Sequence, residues 1–327
     1  MRKGLAVVLL ICLTSFSPVS GKESAEDILK AIVKIRAVIP EDAFSARTLG
    51  TEREGNGVVI DSQNHILTIG YLVTEAESIE VLAVGEEPVS ASFVAYDHQS
   101  GLGLIKTDKP LAIKPVELGA SSELKEGDPI LMASHGGTDA VQAGRVLARK
   151  EFAGYWEYLL DDAIYTAPAH PSFGGAALLD RDGKLMGIGS LLSQVIISGF
   201  GSIACNISVP IDLLRPILAD MIAKGRPAGA PRPWLGLNAE ESHGRVFVVR
   251  TTPGSPAEQA GLKPEDMILG VRGEEVKSLA DFYRKVWALG GAGVDVPLDI
   301  LKGSAVQKIT VKSGDRYQFV RPKPKKL

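Results

Sequence analysis

The 327-residue chain is poor in cysteine, in aromatic residues and in net charge. It has only Cys12 and Cys205, and no Cys-x-x-Cys or His-x-x-x-His spacing, so no metal motif is present and no metal or cofactor is expected. The formal net charge is −3, which is no signature of nucleic-acid binding. The longest apolar run, residues 5–16, falls short of the roughly 20 residues that a membrane-spanning helix needs. With 3 Trp, 7 Tyr and 9 Phe against 35 Gly and 19 Pro, the composition favours many short strands and turns over long helices. The length suits about two folded domains.

What is there begins with a basic start (Arg2, Lys3), the apolar run and the small residues Ser17 to Gly21. This is the layout of a secretory signal peptide, expected over 1–21. Its removal leaves 34 basic against 39 acidic side chains, and Cys205 as the single cysteine. No internal disulfide can then form, and Cys205 reads as a small buried hydrophobe. From about residue 31 to 205, strand signals such as Gly57–Ile60, Ile79–Leu82, Gly103–Lys106 and Pro129–Met132 alternate with turns, as in an all-β barrel or sandwich. Ile211, Leu214, Leu218 and Met221 fall at helical spacing, predicting an amphipathic helix over 209–223. The Gly/Pro-rich stretch 225–233 is a linker. A second unit follows over 234–314, with a helix over 278–289 whose apolar stripe is Leu279, Phe282, Val286 and Leu289. Tyr283 and Trp287 lie off that stripe, at a groove edge or between domains. Residues 315–327 read as a basic tail, and the adjacent acidic pairs Asp161-Asp162 and Glu240-Glu241 as solvated charges.

Four segments, in order, resemble the HtrA/DegP-like family of trypsin-type serine proteases. They are Gly55–Asp61 with Ile66–Val73, Tyr96–Lys106, Ala169–Leu179 with Gly187–Gly189, and Asn206–Leu214. The second unit resembles that family's PDZ domain through Trp234–Leu237, Pro253–Leu269 and Gly273–Leu279. The resemblance implies a mainly β fold, a trypsin-like double β-barrel over 22–224 followed by an α+β PDZ domain. It also implies peptide or protein C-termini and unfolded segments as partners, recognised by strand addition to a sheet edge. Leu235, Gly236 and Leu237 would form the nest for a carboxylate. It further implies a periplasmic or envelope location, a homotrimer through the barrel domain, and contact with active relatives.

Laid on the family pattern, the catalytic histidine, aspartate and serine positions are Tyr71, Gly101 and Gly174. Acyl transfer on this fold needs an attacking hydroxyl, an imidazole base and a carboxylate to orient it. A phenol with an ordinary pKa of about 10 is no base at neutral pH, and two glycines offer no side chain. The expectation is therefore a non-catalytic homologue that binds peptides as a scaffold or regulator of protein quality control. Two alternatives stand beside it: an endopeptidase with a non-standard site built on His170 and Ser172, and a regulatory subunit of an active HtrA protease.

Overall fold

The computed structural model describes residues 24–197 and 201–320, so the expected signal peptide 1–21 lies outside the described residues, as do tail residues 321–327. Ser24 caps the opening helix α1 (Ala25–Lys30), its Oγ accepting the Asp27 N–H at 3.1 Å. Six antiparallel strands then close a first barrel: β1 (Ile32–Val38), β2 (Glu52–Val59), β3 (His65–Ile69), β4 (Ser78–Leu82), β5 (Val89–Tyr96) and β6 (Leu102–Thr107), in the order β1-β2-β3-β6-β5-β4. A short helix, α2 (Ala46–Leu49), sits in the loop between β1 and β2.

The second barrel repeats the plan with β7 (Pro129–Ala133), β8 (Val141–Gly154), β9 (Tyr158–Ala167), β10 (Ala177–Leu179), β11 (Leu185–Ile197) and β12 (Gly201–Pro210), ordered β10-β11-β12-β9-β8-β7. In β1, alternate side chains Ile35 and Ala37 point inward while Arg36 and Val38 face solvent, the pattern of a strand with one wet face. Closure leaves neither barrel an open edge, the usual answer to the aggregation risk of unpaired strands. Cys205 lies fully buried in β12 among apolar neighbours.

The helix predicted over 209–223 is shorter. Residues through Pro210 remain in β12, Ile211–Leu213 make a 3-10 turn, and only α3 (Leu218–Lys224) is α-helical. Pro216 accounts for this, because it lacks an N–H and restricts the residue before it. The stripe nevertheless points inward, with Ile211, Leu214 and Met221 buried.

Beyond the linker lie β13 (Leu237–Ser242), β14 (Arg245–Thr251), α4 (Pro256–Gln259), β15 (Met267–Val271), β16 (Glu274–Glu275), α5 (Leu279–Trp287), β17 (Asp295–Lys302) and β18 (Ala305–Lys312). The sheet order β13-β14-β15-β17-β18 puts β13 at an edge. Ser278 caps α5, and Leu279, Phe282 and Val286 fill the core under the sheet. The start of the expected tail is folded instead: Asp315 caps a last helix, α6 (Arg316–Phe319). There Phe319 packs on Trp234, and Tyr317 packs on His98 of the first barrel with ring centroids 4.5 Å apart.

Candidate functional site

The cleft between the barrels brings two of the three expected triad positions together. Tyr71 follows β3, and its hydroxyl donates to the Ser190 carbonyl at 2.9 Å. A side chain at Gly174 would begin 3.0 Å from that hydroxyl. Burial pushes the Tyr71 phenol above its ordinary value, further from any role as a base. Gly101 has φ +82°, a left-handed backbone that suits glycine. The space a side chain there would enter is taken by Tyr158, whose hydroxyl stands 3.0 Å from such a Cβ and donates to the Ser100 carbonyl at 2.5 Å. The position expected for the orienting carboxylate is thus filled by an aromatic ring from the second barrel.

The loop around Gly174 is held by Asn56, which is almost fully buried. Its side-chain amide donates to the carbonyls of Ser172 (2.9 Å) and Gly174 (3.0 Å), and its Oδ1 accepts the His135 N–H at 2.9 Å. The resulting cleft of about 440 Å³ is lined by Lys34, Asn56, Tyr71, His135, Ser172 and Gly174. On this fold the oxyanion hole is made by the N–H of the nucleophile and of the residue two before it. With Gly174 at the expected nucleophile position these would be Gly174 and Ser172, and the Ser172 N–H is turned onto Nδ1 of His170 at 3.1 Å. The same bond occupies the His170 lone pair that a Ser172 hydroxyl would need, and burial pulls the His170 imidazole below its ordinary pKa. His65 sits apart, as the first residue of β3 rather than in a turn before it, paired with Asp61 at 2.6 Å. Among the described residues no group of three His, Cys, Asp or Glu side chains could hold a metal ion.

The three N–H groups of the predicted nest bond a carboxylate from the chain itself. The N–H groups of Leu235, Gly236 and Leu237 converge on one carboxylate, at 2.9, 2.6 and 3.1 Å. That carboxylate is Glu157, from the turn between β8 and β9 of the second barrel. Gly236 is needed twice over: φ is +76°, and a Cβ would lie 2.3 Å from Ser255 Cβ. Burial raises the Glu157 pKa, against the three N–H donors and Arg316, which favour the anion. Tyr283 is fully buried at this contact, its hydroxyl donating to the Gly154 carbonyl at 2.8 Å and accepting the Glu157 N–H at 3.2 Å. Tyr283 is thus an interdomain aromatic, and Trp287 stacks on it with centroids 5.5 Å apart. Asp161 and Asp162 are exposed, as expected of solvated charges, and pair with Arg284 and Arg149. Sequence reasoning missed Glu157, Tyr158 and Arg316. The one local signal was the run of aromatics at 155–158, which says nothing of what it meets.

Comparison with known proteins agrees with this architecture. The trypsin-like peptidase domain family matches residues 55–188, and the PDZ domain family matches residues 233–313. The chain is 26% identical to serine protease Do-like HtrA of Bacillus subtilis over 318 residues, covering 86% of this chain and 69% of that protein. It is 27% identical over 300 residues to protease Do-like 1, chloroplastic, of Arabidopsis thaliana (84% and 66%). It is 23% identical over 272 residues to the periplasmic pH-dependent serine endoprotease DegQ of Escherichia coli (79% and 58%). The chain thus spans about two thirds of the length of these curated relatives, or less. Among solved structures, the serine endoprotease from Yersinia pestis superposes with a TM-score of 0.53 at 21% identity, covering 89% of this chain and 98% of that one. The HtrA-type protease AlgW with decapeptide gives 0.52 at 21% identity, covering 92% and 100%. Two closed barrels, a PDZ domain after them in the chain and relatives that share both make this chain a member of the HtrA/DegP-like family.

Proposed function

We propose that this chain is a non-catalytic HtrA-like protein of the cell envelope that binds chain ends or extended segments through its PDZ domain, as a scaffold or regulator in protein quality control. The observation that carries the binding half is the convergence of three N–H groups from Leu235, Gly236 and Leu237 on a single carboxylate. Such a nest takes the terminal carboxylate of a peptide as readily as a side-chain one. AlgW, a relative in fold, has been solved with a decapeptide. The non-catalytic half is supported by Tyr71, Gly101 and Gly174, and by the His170 lone pair that Ser172 engages through its backbone rather than its hydroxyl. The periplasmic DegQ relative supports the compartment.

The test is digestion of unfolded casein by the purified chain from residue 22, beside an active relative. No cleavage is expected. Cleavage abolished by Ser172→Ala would replace this reading with the endopeptidase one.

A further inference from the structure

We infer that the tip of the β8–β9 hairpin, Tyr155–Glu157, is a resident ligand of the PDZ nest, closing it to any chain end that does not displace Glu157. The inference rests on the proposed reading of Leu235–Leu237 as the peptide site, and it adds the regulation of that site. Its basis is that the hairpin reproduces both halves of peptide recognition by strand addition. The Glu157 carboxylate takes the three nest N–H groups. The Tyr155 carbonyl accepts the N–H of Ala239, at 2.9 Å, on the side of β13 that faces away from β14. An edge strand leaves such N–H groups unpaired unless something pairs them.

The groove between β13 and α5 is occupied as well. Leu159 belongs to the apolar core of the PDZ unit, and Ala153 packs against it. The hairpin is held from three sides. Tyr283 of α5 bridges Gly154 and Glu157, Arg284 of α5 pairs with Glu151 (2.5 Å) and Asp161 on the two hairpin strands, and Arg316 of α6 donates to the carbonyl of Trp156 at 3.3 Å. Glu157 itself has φ +55°, an uncommon backbone state for a residue with a side chain. It is 6% exposed, so the groups that favour its anion are the nest N–H donors and Arg316 rather than water. An incoming chain end meets a site populated by an internal competitor, and its apparent affinity falls by the fraction of time the hairpin is docked.

Two measurements on the full chain test this. Amide hydrogen exchange reads occupancy directly. Leu235, Gly236, Leu237 and Ala239 are expected to be protected in the native chain and to exchange about tenfold faster or more in Glu157→Ala, with barrel amides unchanged. Glu157→Gln, which keeps an acceptor without the charge, should fall between and guards against a folding defect. Fast exchange of these amides in the native chain, or equal protection in all three proteins, overturns the inference.

The second probe is a fluorescent peptide of residues 150–157 carrying Glu157→Ala, as free acid and as C-terminal amide. Binding of the free acid alone, about tenfold or more tighter to the Glu157→Ala chain than to the native one, supports the resident ligand. Equal binding to both chains overturns it and leaves the peptide-binding reading standing. Exchange that responds to Glu157→Ala while the free acid binds neither chain supports occupancy and overturns the peptide-binding reading.

Discussion

The barrel cleft and the PDZ nest sit on one chain, and the chemistry each would perform is carried by different atoms, side chains in the cleft and backbone in the nest. In the cleft, acyl transfer on this fold depends on three side chains, and the positions expected for them hold Tyr71, Gly101 and Gly174. A phenol bonded to a carbonyl and two glycines supply none of the three groups. In the nest, anion binding depends on backbone N–H groups, and any sequence that preserves the turn at Gly236 preserves the chemistry. One hairpin touches both sites. Glu157 fills the nest, and the adjacent Tyr158 fills the space beside Gly101.

The contrast breaks most visibly if the cleft can be rebuilt. Tyr71→His with Gly101→Asp and Gly174→Ser should give little or no casein cleavage, because the new Asp side chain meets the Tyr158 hydroxyl. Adding Tyr158→Phe is expected to raise cleavage by roughly a hundredfold or more over the native chain, part of the 10⁴–10⁶ that a complete triad supplies. Equal activity with and without Tyr158→Phe would show that Tyr158 does not block the site.

Next in size is Gly236→Ala, which forces a side chain into a left-handed turn and against Ser255. A loss of about 2–4 kcal/mol in urea unfolding is expected, together with faster exchange at Leu235–Leu237. A neutral result would mean that the nest is looser than its geometry.

Tyr283→Phe removes a hydroxyl that serves a buried donor and a buried acceptor, and should cost about 1–3 kcal/mol, read as a shift of the urea midpoint at constant slope. The smallest effect is expected from Arg284→Ala. Its ion pairs with Glu151 and Asp161 are largely solvent-exposed, so less than about 1 kcal/mol should be lost, and that loss should shrink with added salt. A larger, salt-insensitive loss would place more of the hairpin's hold in Arg284 than in the nest.

Much of the architecture was legible along the chain, because strand alternation and caps are local. Ser24 caps α1, Ser278 caps α5, and the apolar stripe predicted for α5 lies in the core. The helix that apolar spacing predicts over 209–223 is cut short by Pro216, which interrupts it without disturbing which side chains face inward. The charge of 315–327 predicts a tail, but ahead of the lysines Asp315 caps α6, Tyr317 packs on His98 and Phe319 packs on Trp234.

By itself, the sequence determined which functional groups exist: a phenol and two glycines at the three expected triad positions, with no imidazole, carboxylate or serine hydroxyl among them, and a glycine where the nest must turn. These are properties of single residues and their immediate neighbours. Only the tertiary structure decided what occupies the space they leave. Glu157 meets its three donors across 78 to 80 residues, and Tyr158 meets Ser100 across 58. Contacts at that separation are set by how two barrels and a PDZ sheet pack, and no local pattern encodes them.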